Sequence, residues 1–382
     1  MYWRLFTQLP FGQHLVTSIV LRLILIVYGE FHDSFSEVPF TDIDYKVVTD
    51  GARHLQNGHS PFQRHTYRYT PLLAYSLLPN LFLHKSFGKV LFSIFDLLIG
   101  ILIRAIIRDE FGQTFYENAT ALLKKNKRLE QKRVASKTFA LPPKYEQIAT
   151  HSALAWLYNP MSMVIATRGN GDSITSFFVL ATIHQLQKAH TGGLKNVLAA
   201  GVMHGLAIHF RLYPIAFSLA YYLYLAERKA GFWSNLLQPS MKQFLLAFST
   251  VGTLTVFTAG FYLKFGYEFL YEAYLYHLVR KDIRHNFSLY FYMNYLNPEP
   301  FLFEKVLTFL PQLIILLLIC LQFGQHRKTL SFCVFLQAFV MVIFNPVVTS
   351  KYFVWFLALL PVCLKNLKGH FGTRRAISYG IL

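Results

Sequence analysis

Tyr69-Thr70-Pro71-Leu72-Leu73-Ala74-Tyr75-Ser76-Leu77-Leu78-Pro79-Asn80-Leu81-Phe82-Leu83 is the stretch on which the topology of this chain turns. It is apolar, but its length of about fifteen residues falls short of the roughly 20 that a helix needs to cross a bilayer. Pro71 restricts the residue before it, and Pro79-Asn80 interrupts the run near its end. We read it as an interfacial or re-entrant helix. Counted as a span, it would reverse the side of every later loop.

The rest of the chain supplies the membrane context. Of 382 residues, 54% are hydrophobic, 17% aromatic and only 15% charged, with a mean hydropathy of +0.34. That composition is too apolar for a soluble domain of this size. The net charge of +18 is carried in short basic blocks between apolar runs and not on one soluble face, which argues against nucleic acid as a partner. Spanning candidates lie near 13–30, 88–107, 148–166, 173–188, 195–210, 212–227, 243–263, 302–321, 329–345 and 352–367. They make an all-α polytopic membrane protein with about ten transmembrane helices, read as one membrane-embedded domain over 1–382. Arg4 followed by the apolar Leu15–Tyr28 reads as an uncleaved signal anchor, which directs the chain into the secretory membrane system.

Charge then assigns the sides. With 69–83 left out of the spans, one side holds Lys124-Lys125-Asn126-Lys127-Arg128, Lys132-Arg133, Lys188, Arg228-Lys229, Arg327-Lys328 and Arg374-Arg375. Excess Lys and Arg mark cytosolic loops, so the segment 108–147 becomes a basic cytosolic loop. The luminal side receives a first loop, 31–87, the turns 167–172, 209–214 and 345–351, and the loop 264–301.

Every unusual polar cluster falls on that luminal side. Thr41-Asp42-Ile43-Asp44 places two carboxylates one residue apart in a chain with only 19 acids against 37 Lys and Arg. Arg68 lies in Thr66–Pro71, and Arg168-Gly169-Asn170-Gly171-Asp172 and His209-Phe210-Arg211-Leu212-Tyr213-Pro214 close two of the turns. The 264–301 loop carries His277, Arg280, Lys281, Asp282, Arg284, His285 and Asn286. Acids, cations, histidines and aromatics gathered at the ends of spans suggest a polar site roofed onto a helical bundle, with lipids bearing polar heads as substrates.

Each cluster also has a purely structural reading. Thr41 with Asp44 fits a capping box for a helix running to about Leu55 and stopped by Asn57-Gly58. Residues two apart diverge by about 200° on a helix, so two acids can share a task here only if Asp42 lies outside it. The 280–285 cations could be a solvated loop near anionic headgroups or a lipid-phosphate site, with Asp282 interleaved among them. Arg168–Asp172 reads as a hairpin whose glycines serve the turn, though a turn requires neither Arg168 nor Asp172. Pro214 suits the first turn of a new helix, which leaves His209 and Arg211 to be explained.

Other chemistries find no support. No H-E-x-x-H, P-loop or G-x-G-x-x-G pattern is present. Cys320, Cys333 and Cys363 lie in or beside apolar runs without C-x-x-C spacing and read as core residues. Asn118-Ala119-Thr120 and Asn286-Phe287-Ser288 match the glycosylation pattern, one in the basic loop and one inside the candidate site, and neither is expected to carry a glycan. A transporter would suit many spans, but transporters tend to show internal repeats and midplane charges, and this chain shows no repeat and one-sided clusters.

Taken in order, Phe40–Tyr45, Tyr67-Arg68-Tyr69-Thr70-Pro71-Leu72-Leu73, Leu157-Tyr158-Asn159-Pro160, Arg168-Gly169-Asn170, Tyr274–Leu278, Asp282–Ser288 and Thr349-Ser350-Lys351-Tyr352-Phe353 closely resemble the family of glycosylphosphatidylinositol mannosyltransferase I catalytic subunits (PIG-M). The likeness runs from about Phe40 to Leu364. It departs at Gly171, where a relative has Ala, and at Arg211, where Lys is common. Neither departure removes a charge or the turn.

The resemblance implies a GT-C type helical bundle with a luminal catalytic face, resident in the endoplasmic reticulum membrane. It implies transfer of the first, α1,4-linked mannose from dolichyl phosphate mannose to glucosaminyl-phosphatidylinositol, and a small stabilising subunit of the PIG-X type. The family's Asp-x-Asp element maps onto Asp42 and Asp44. A β-linked donor and an α-linked product call for one inverting displacement and one base on the acceptor hydroxyl. Asp42 is assigned that role. Asp44 is left to orient the acceptor, hold its ammonium or help ligand a divalent ion. The lipid phosphate leaves as a weak base and needs positive charge, for which Arg211, Arg280, Lys281, Arg284, His209 and His285 are candidates.

Overall fold

The computed structural model describes residues 9–125, 141–226, 232–279, 286–297, 302–326 and 328–367. Among the described residues all regular structure is helical. Among the described residues three helices are long and apolar enough to cross a membrane: Phe11–Phe35, Phe87–Glu117 and Met241–Leu275. At 25 residues the first rises about 37 Å against the roughly 30 Å of a bilayer's hydrocarbon. Of the others expected from the sequence, 173–188 and 302–321 are the helices Asp172–Gly192 and Leu302–Phe323, of 21 and 22 residues, and several of the rest are shorter or interrupted. The stretch 148–166 is two helices, Pro143–Leu157 and Pro160–Thr167, because Pro160 lacks the N–H that a continuing helix would use. Residues 212–227 form a 3₁₀ turn, Tyr213–Phe217, and a short helix, Ser218–Tyr224. Residues 352–367 divide into Ser350–Tyr352, Phe353–Leu357 and Leu360–Leu367.

Two helices also overrun the boundaries read from hydropathy. Phe87–Lys125 continues well into the stretch read as a cytosolic loop. Its polar continuation is held by neighbouring helices: Arg108 pairs with Glu146 at 2.7 Å, and Asp109 with His184 at 3.1 Å. Met241–Leu270 likewise enters the stretch read as a luminal loop, kinks at Gly266 and passes into a π-helical turn, Tyr271–Leu275. Single π turns inside helices are frequent at functional sites.

Packing explains why the bundle stays together without water to drive it. Leu194–Phe210 meets Met241–Leu270 through Gly201 and Gly205, where an added Cβ would stand 2.8 Å from the Leu246 carbonyl and 2.9 Å from that of Thr250. Small residues four apart allow such backbone approach between membrane helices. Arg22 of Phe11–Phe35 and Asp96 of Phe87–Lys125 form a fully buried pair at 2.5 Å. The Arg22 guanidinium also donates to the Leu157 carbonyl at 3.3 Å, satisfying an acceptor at the broken end of Pro143–Leu157.

Helix polarity brings the unusual loops to one end. Phe11–Phe35, Pro160–Thr167, Leu194–Phe210, Met241–Leu270 and Leu330–Ile343 finish there, while Phe87–Lys125 and Asp172–Gly192 begin there. An apolar cluster forms the floor of that end, built from Tyr45, Val48, Ala52, Tyr67, Leu77, Phe92 and Phe269 among others. Helix Ile43–Gln56 contributes Tyr45, Val48 and Ala52 at helical spacing and turns Lys46 and Arg53 outward. A buried side chain the size of Val48 is worth about 1.5–3 kcal/mol, and the Tyr45 ring and Ala52 methyl add to it, which anchors the Asp-bearing segment to the bundle. The Tyr69–Leu83 stretch forms two short helices, Pro71–Ser76 and Pro79–Phe82, broken before its second proline.

Candidate active site

Asp42 sits one residue before the helix, not within it. Its backbone is extended (φ −62°, ψ 142°), and its carboxylate caps Ile43–Gln56 by accepting the Asp44 N–H at 3.0 Å. The capping box expected of Thr41 does not form. The Thr41 hydroxyl instead donates to Asp33 and accepts from Lys89 Nζ at 2.7 Å, fastening the start of the segment to two spanning helices. At its far end the helix stops at Gln56, with Asn57 as C-cap and Gly58 at φ 79°.

The Arg168-Gly169-Asn170 turn grips the Asp42 segment from the opposite side. The Asp42 N–H donates to the Arg168 carbonyl at 2.9 Å, and Arg168 Nε returns a bond to the Phe40 carbonyl at 2.7 Å. Gly169 takes φ +94° with the Tyr45 ring pressed against it. Asn170 is buried; its side-chain Oδ1 accepts the Asp172 N–H at 3.0 Å and its Nδ2 donates toward Asp42 Oδ2 at 3.5 Å. The side-chain bonds of Arg168 to Phe40 and of Asn170 to Asp42 each join residues 128 apart in sequence.

Asp44 points into a charge cluster. Its carboxylate is paired with Lys351, both side chains being mostly buried at 21% and 15% exposure. The Tyr69 hydroxyl and the Arg211 guanidinium both lie close enough to act on the same carboxylate. Arg211 is itself paired with the fully buried Asp172 at 2.8 Å and covers the Tyr69 ring at 5.0 Å. Burial alone would raise the Asp44 pKa, but the Lys351 ammonium, the Tyr69 hydroxyl and Arg211 outweigh it and hold the carboxyl below its ordinary range. Burial likewise disfavours charge on Lys351, and Asp44 reverses that, so its ammonium is held above the ordinary lysine value. Asp44 and Asp172 are thus matched by Lys351 and Arg211.

Two residues of the site stand outside this balance. Among the described residues neither Asp42 nor Arg168 has an oppositely charged ion-pair partner. A carboxylate with one oxygen only loosely held can accept a proton, and a guanidinium with no counterion can receive an anion.

The other expected residues separate. His209 is buried between the Thr70 hydroxyl at 2.6 Å and the Tyr274 hydroxyl at 2.8 Å, stacked on Phe261, and so ties the Thr70–Pro71 corner to the π turn. Arg68 belongs to a neighbouring patch: it pairs with Glu272 of the π turn and covers the Tyr276 ring at 4.2 Å. Asn286 staples the 345–348 turn, accepting the Val348 N–H at 2.8 Å and donating to the Pro346 carbonyl at 2.8 Å. Arg280, Lys281, Asp282, Arg284 and His285 lie outside the described residues. Lys351 was not among the expected site residues, although it is the only Asp, Glu, Lys or Arg in 329–364. An isolated charge in so apolar a stretch is a functional signal by itself.

Comparison with known proteins identifies the assembly around these residues. The family described as "Mannosyltransferase (PIG-M)" matches residues 165–382. "GPI alpha-1,4-mannosyltransferase I, catalytic subunit" of Danio rerio is 38% identical over 362 residues, covering 93% of this chain and 81% of that protein. "GPI mannosyltransferase 1" is 36% identical in Dictyostelium discoideum, covering 92% and 77%, and 35% identical in Saccharomyces cerevisiae, covering 95% and 81%. The chain belongs to the PIG-M mannosyltransferase family. The family match takes in Arg168, Asp172, Arg211 and Lys351, and the full-length relatives extend the PIG-M likeness over most of the chain. Membership makes the chain a glycosyltransferase with the apolar helices of a membrane enzyme.

Proposed function

We propose that this chain transfers the first, α1,4-linked mannose of the glycosylphosphatidylinositol core from dolichyl phosphate mannose to glucosaminyl-phosphatidylinositol, with or without an inositol acyl chain. It acts in the endoplasmic reticulum membrane as a GT-C type bundle of about ten spans, its site facing the lumen. The relatives' names support the reaction, and the gathering of polar loops at one end of the bundle supports a one-sided site. The observation that carries the reading is Asp42: a carboxylate clamped by the Arg168–Asn170 turn, without an ion-pair partner among the described residues, beside a charge cluster already balanced.

In this reading Asp42 takes the proton of the acceptor hydroxyl as its oxygen attacks the anomeric carbon. The bond from that carbon to the phosphate oxygen breaks with inversion, and dolichyl phosphate departs with its electron pair. Arg168 supplies positive charge to the leaving phosphate, joined by the 280–285 cations. Arg211, also a candidate from the sequence, has its charge committed to Asp172. A divalent ion shared by Asp42 and Asp44 does not fit the donor set as arranged, since it would have to take Asp44 from Lys351. A PIG-X type subunit belongs to the proposal on resemblance alone, and no surface is assigned to it.

Purified protein supplied with radiolabelled dolichyl phosphate mannose and synthetic acceptors tests this. The expected product is α-mannosyl-glucosaminyl-phosphatidylinositol. Transfer only to some other acceptor, or none with the stabilising subunit present, overturns the assignment.

A further inference from the structure

Lys351 reaches Asp42 through two successive contacts. Its ammonium holds the Asp44 carboxylate, and the Asp44 N–H is the group on which Asp42 Oδ1 rests at 3.0 Å. The lysine is itself firmly placed. It lies in the turn Ser350–Tyr352, just after residues stapled by Asn286 and by the Phe287 N–H, which donates to the Val348 carbonyl at 2.8 Å. On its other side Tyr352 and Tyr213 stack on Trp355 at centroid distances of 4.4 and 3.9 Å. A rigid shelf near the C-terminal end of the fold thereby presents one cation to the first loop, across 307 residues of sequence.

We propose that Lys351 is a positioning residue for the transfer reaction: as the counterion of Asp44 it orients the turn that carries Asp42 and leaves Asp42, of the two, free to take the acceptor proton. The inference rests on the mannosyl-transfer reading above. Two acids one residue apart would otherwise repel and compete for the same proton, raising the pKa of one and splitting the base between two sites. Commitment of Asp44 to Lys351 separates the two roles. Asp44 then acts through Asp42 and not on substrate, which assigns a job to each half of the Asp-x-Asp element. The charged and titratable groups facing Asp44 are Lys351, Tyr69 and Arg211, and those facing Lys351 are Asp44, Arg211, Tyr352 and Asp172.

The test compares wild type, Lys351→Gln, Lys351→Arg, Asp44→Asn and the double variant Lys351→Gln/Asp44→Asn, all as full-length protein with donor and acceptor varied. Lys351→Gln should lower kcat by at least about tenfold with donor KM little changed, because an uncompensated buried carboxylate disturbs the base it adjoins. The acidic limb of its kcat profile should move to higher pH as Asp44, freed of its cation, competes for protons. Lys351→Arg should retain more activity than Lys351→Gln. The double variant should be at least about tenfold better than the product of the two single losses, the signature of a coupled pair. A large rise in donor KM at unchanged kcat would instead make Lys351 a phosphate ligand. Multiplicative losses with an unmoved pH limb would make it scaffold only, and either result overturns the proposal. A thermal-unfolding cycle on the same four charge states reports the coupling without catalysis. Coupling there, with no mannosyl transfer by wild type, refutes the reaction and leaves the ion pair standing.

Discussion

Arg211 Nε lies 2.8 Å from Asp172 Oδ1, and the two residues stand at the facing ends of consecutive helices, Asp172 opening Asp172–Gly192 and Arg211 closing Leu194–Phe210. Asp172 is completely buried. The pair therefore joins the hairpin of these helices at the site end, and Arg211 is first a partner for a charge that has no access to water.

Removal of Arg211 strands that charge. Arg211→Ala should lower folded yield and thermal stability by about 3 kcal/mol or more, since breaking a buried pair leaves one charge uncompensated. Adding Asp172→Asn to that variant should restore part of the loss. Thermal unfolding of detergent-solubilised protein without donor checks both; equal stability of Arg211→Ala and wild type would return Arg211 to the role of a free phosphate ligand.

Asp42 permits a cleaner separation of fold from chemistry. Asn caps a helix about as well as Asp, so Asp42→Asn should keep Ile43–Gln56 in place and the protein at normal abundance. Loss of the base should still cost about two to four orders of magnitude in mannosyl transfer. Asp42→Ala loses the cap as well and should be less stable than Asp42→Asn by about 1 kcal/mol. Activity of Asp42→Asn near that of wild type would move the base elsewhere.

Gly169 is the hinge of the clamp that holds Asp42. With φ at +94° and the Tyr45 ring against it, a Cβ has neither the backbone conformation nor the space it requires. Gly169→Ala should destabilise the protein by more than about 1 kcal/mol and reduce transfer, because the turn that accepts the Asp42 N–H must shift. Limited proteolysis and transfer assays on the same preparation read the two effects together.

The Asp44–Lys351 pair has a definite pH window. The Asp44 pKa is held below its ordinary 3.8, so its stabilisation is complete above that value and fades as pH falls through the lowered one. The Lys351 pKa is held above 10.5, so its contribution is complete below that value and fades as pH rises through the raised one. Between 3.8 and 10.5 the pair should be intact. Unfolding midpoints should therefore drop less steeply in acid for Asp44→Asn than for wild type. Identical acid profiles would mean that the pair contributes no stability.

What the sequence made legible was local. Asn57-Gly58 marks the end of the helix that Asp42 begins, Pro79 breaks the short apolar stretch, and the glycine of Arg168–Asn170 signals a turn. Partners far apart were not legible. No spacing rule links Asp44 to Lys351 or His209 to Thr70, because such contacts arise from the packing of helices and not from a period along one of them. Hydropathy also ended two helices too early, at Arg108 and Lys264, where charges that look like loop are held against neighbouring elements. The four-residue spacing of Gly201 and Gly205, which suits close helix packing, is a local signal that hydropathy does not register.

The short stretch from Tyr69 to Leu83 finally makes the whole topology testable. Its two short helices pack beside Ile43–Gln56 and do not form one long spanning helix, so Lys46 should lie on the luminal side and Lys144, near the basic 124–133 block, on the cytosolic side. Both positions are exposed, and the native Cys320, Cys333 and Cys363 are buried, so a single introduced cysteine can be read against a quiet background. In sealed, right-side-out microsomes a membrane-impermeant thiol reagent should label Lys144→Cys at once and Lys46→Cys only after detergent. The Lys46 side chain faces outward from Ile43–Gln56 and makes no part of the clamp, so the substitution leaves the site intact. Labelling of Lys46→Cys in intact vesicles would place the Asp42 segment in the cytosol and, with it, every residue of the candidate site on the wrong side for the proposed reaction.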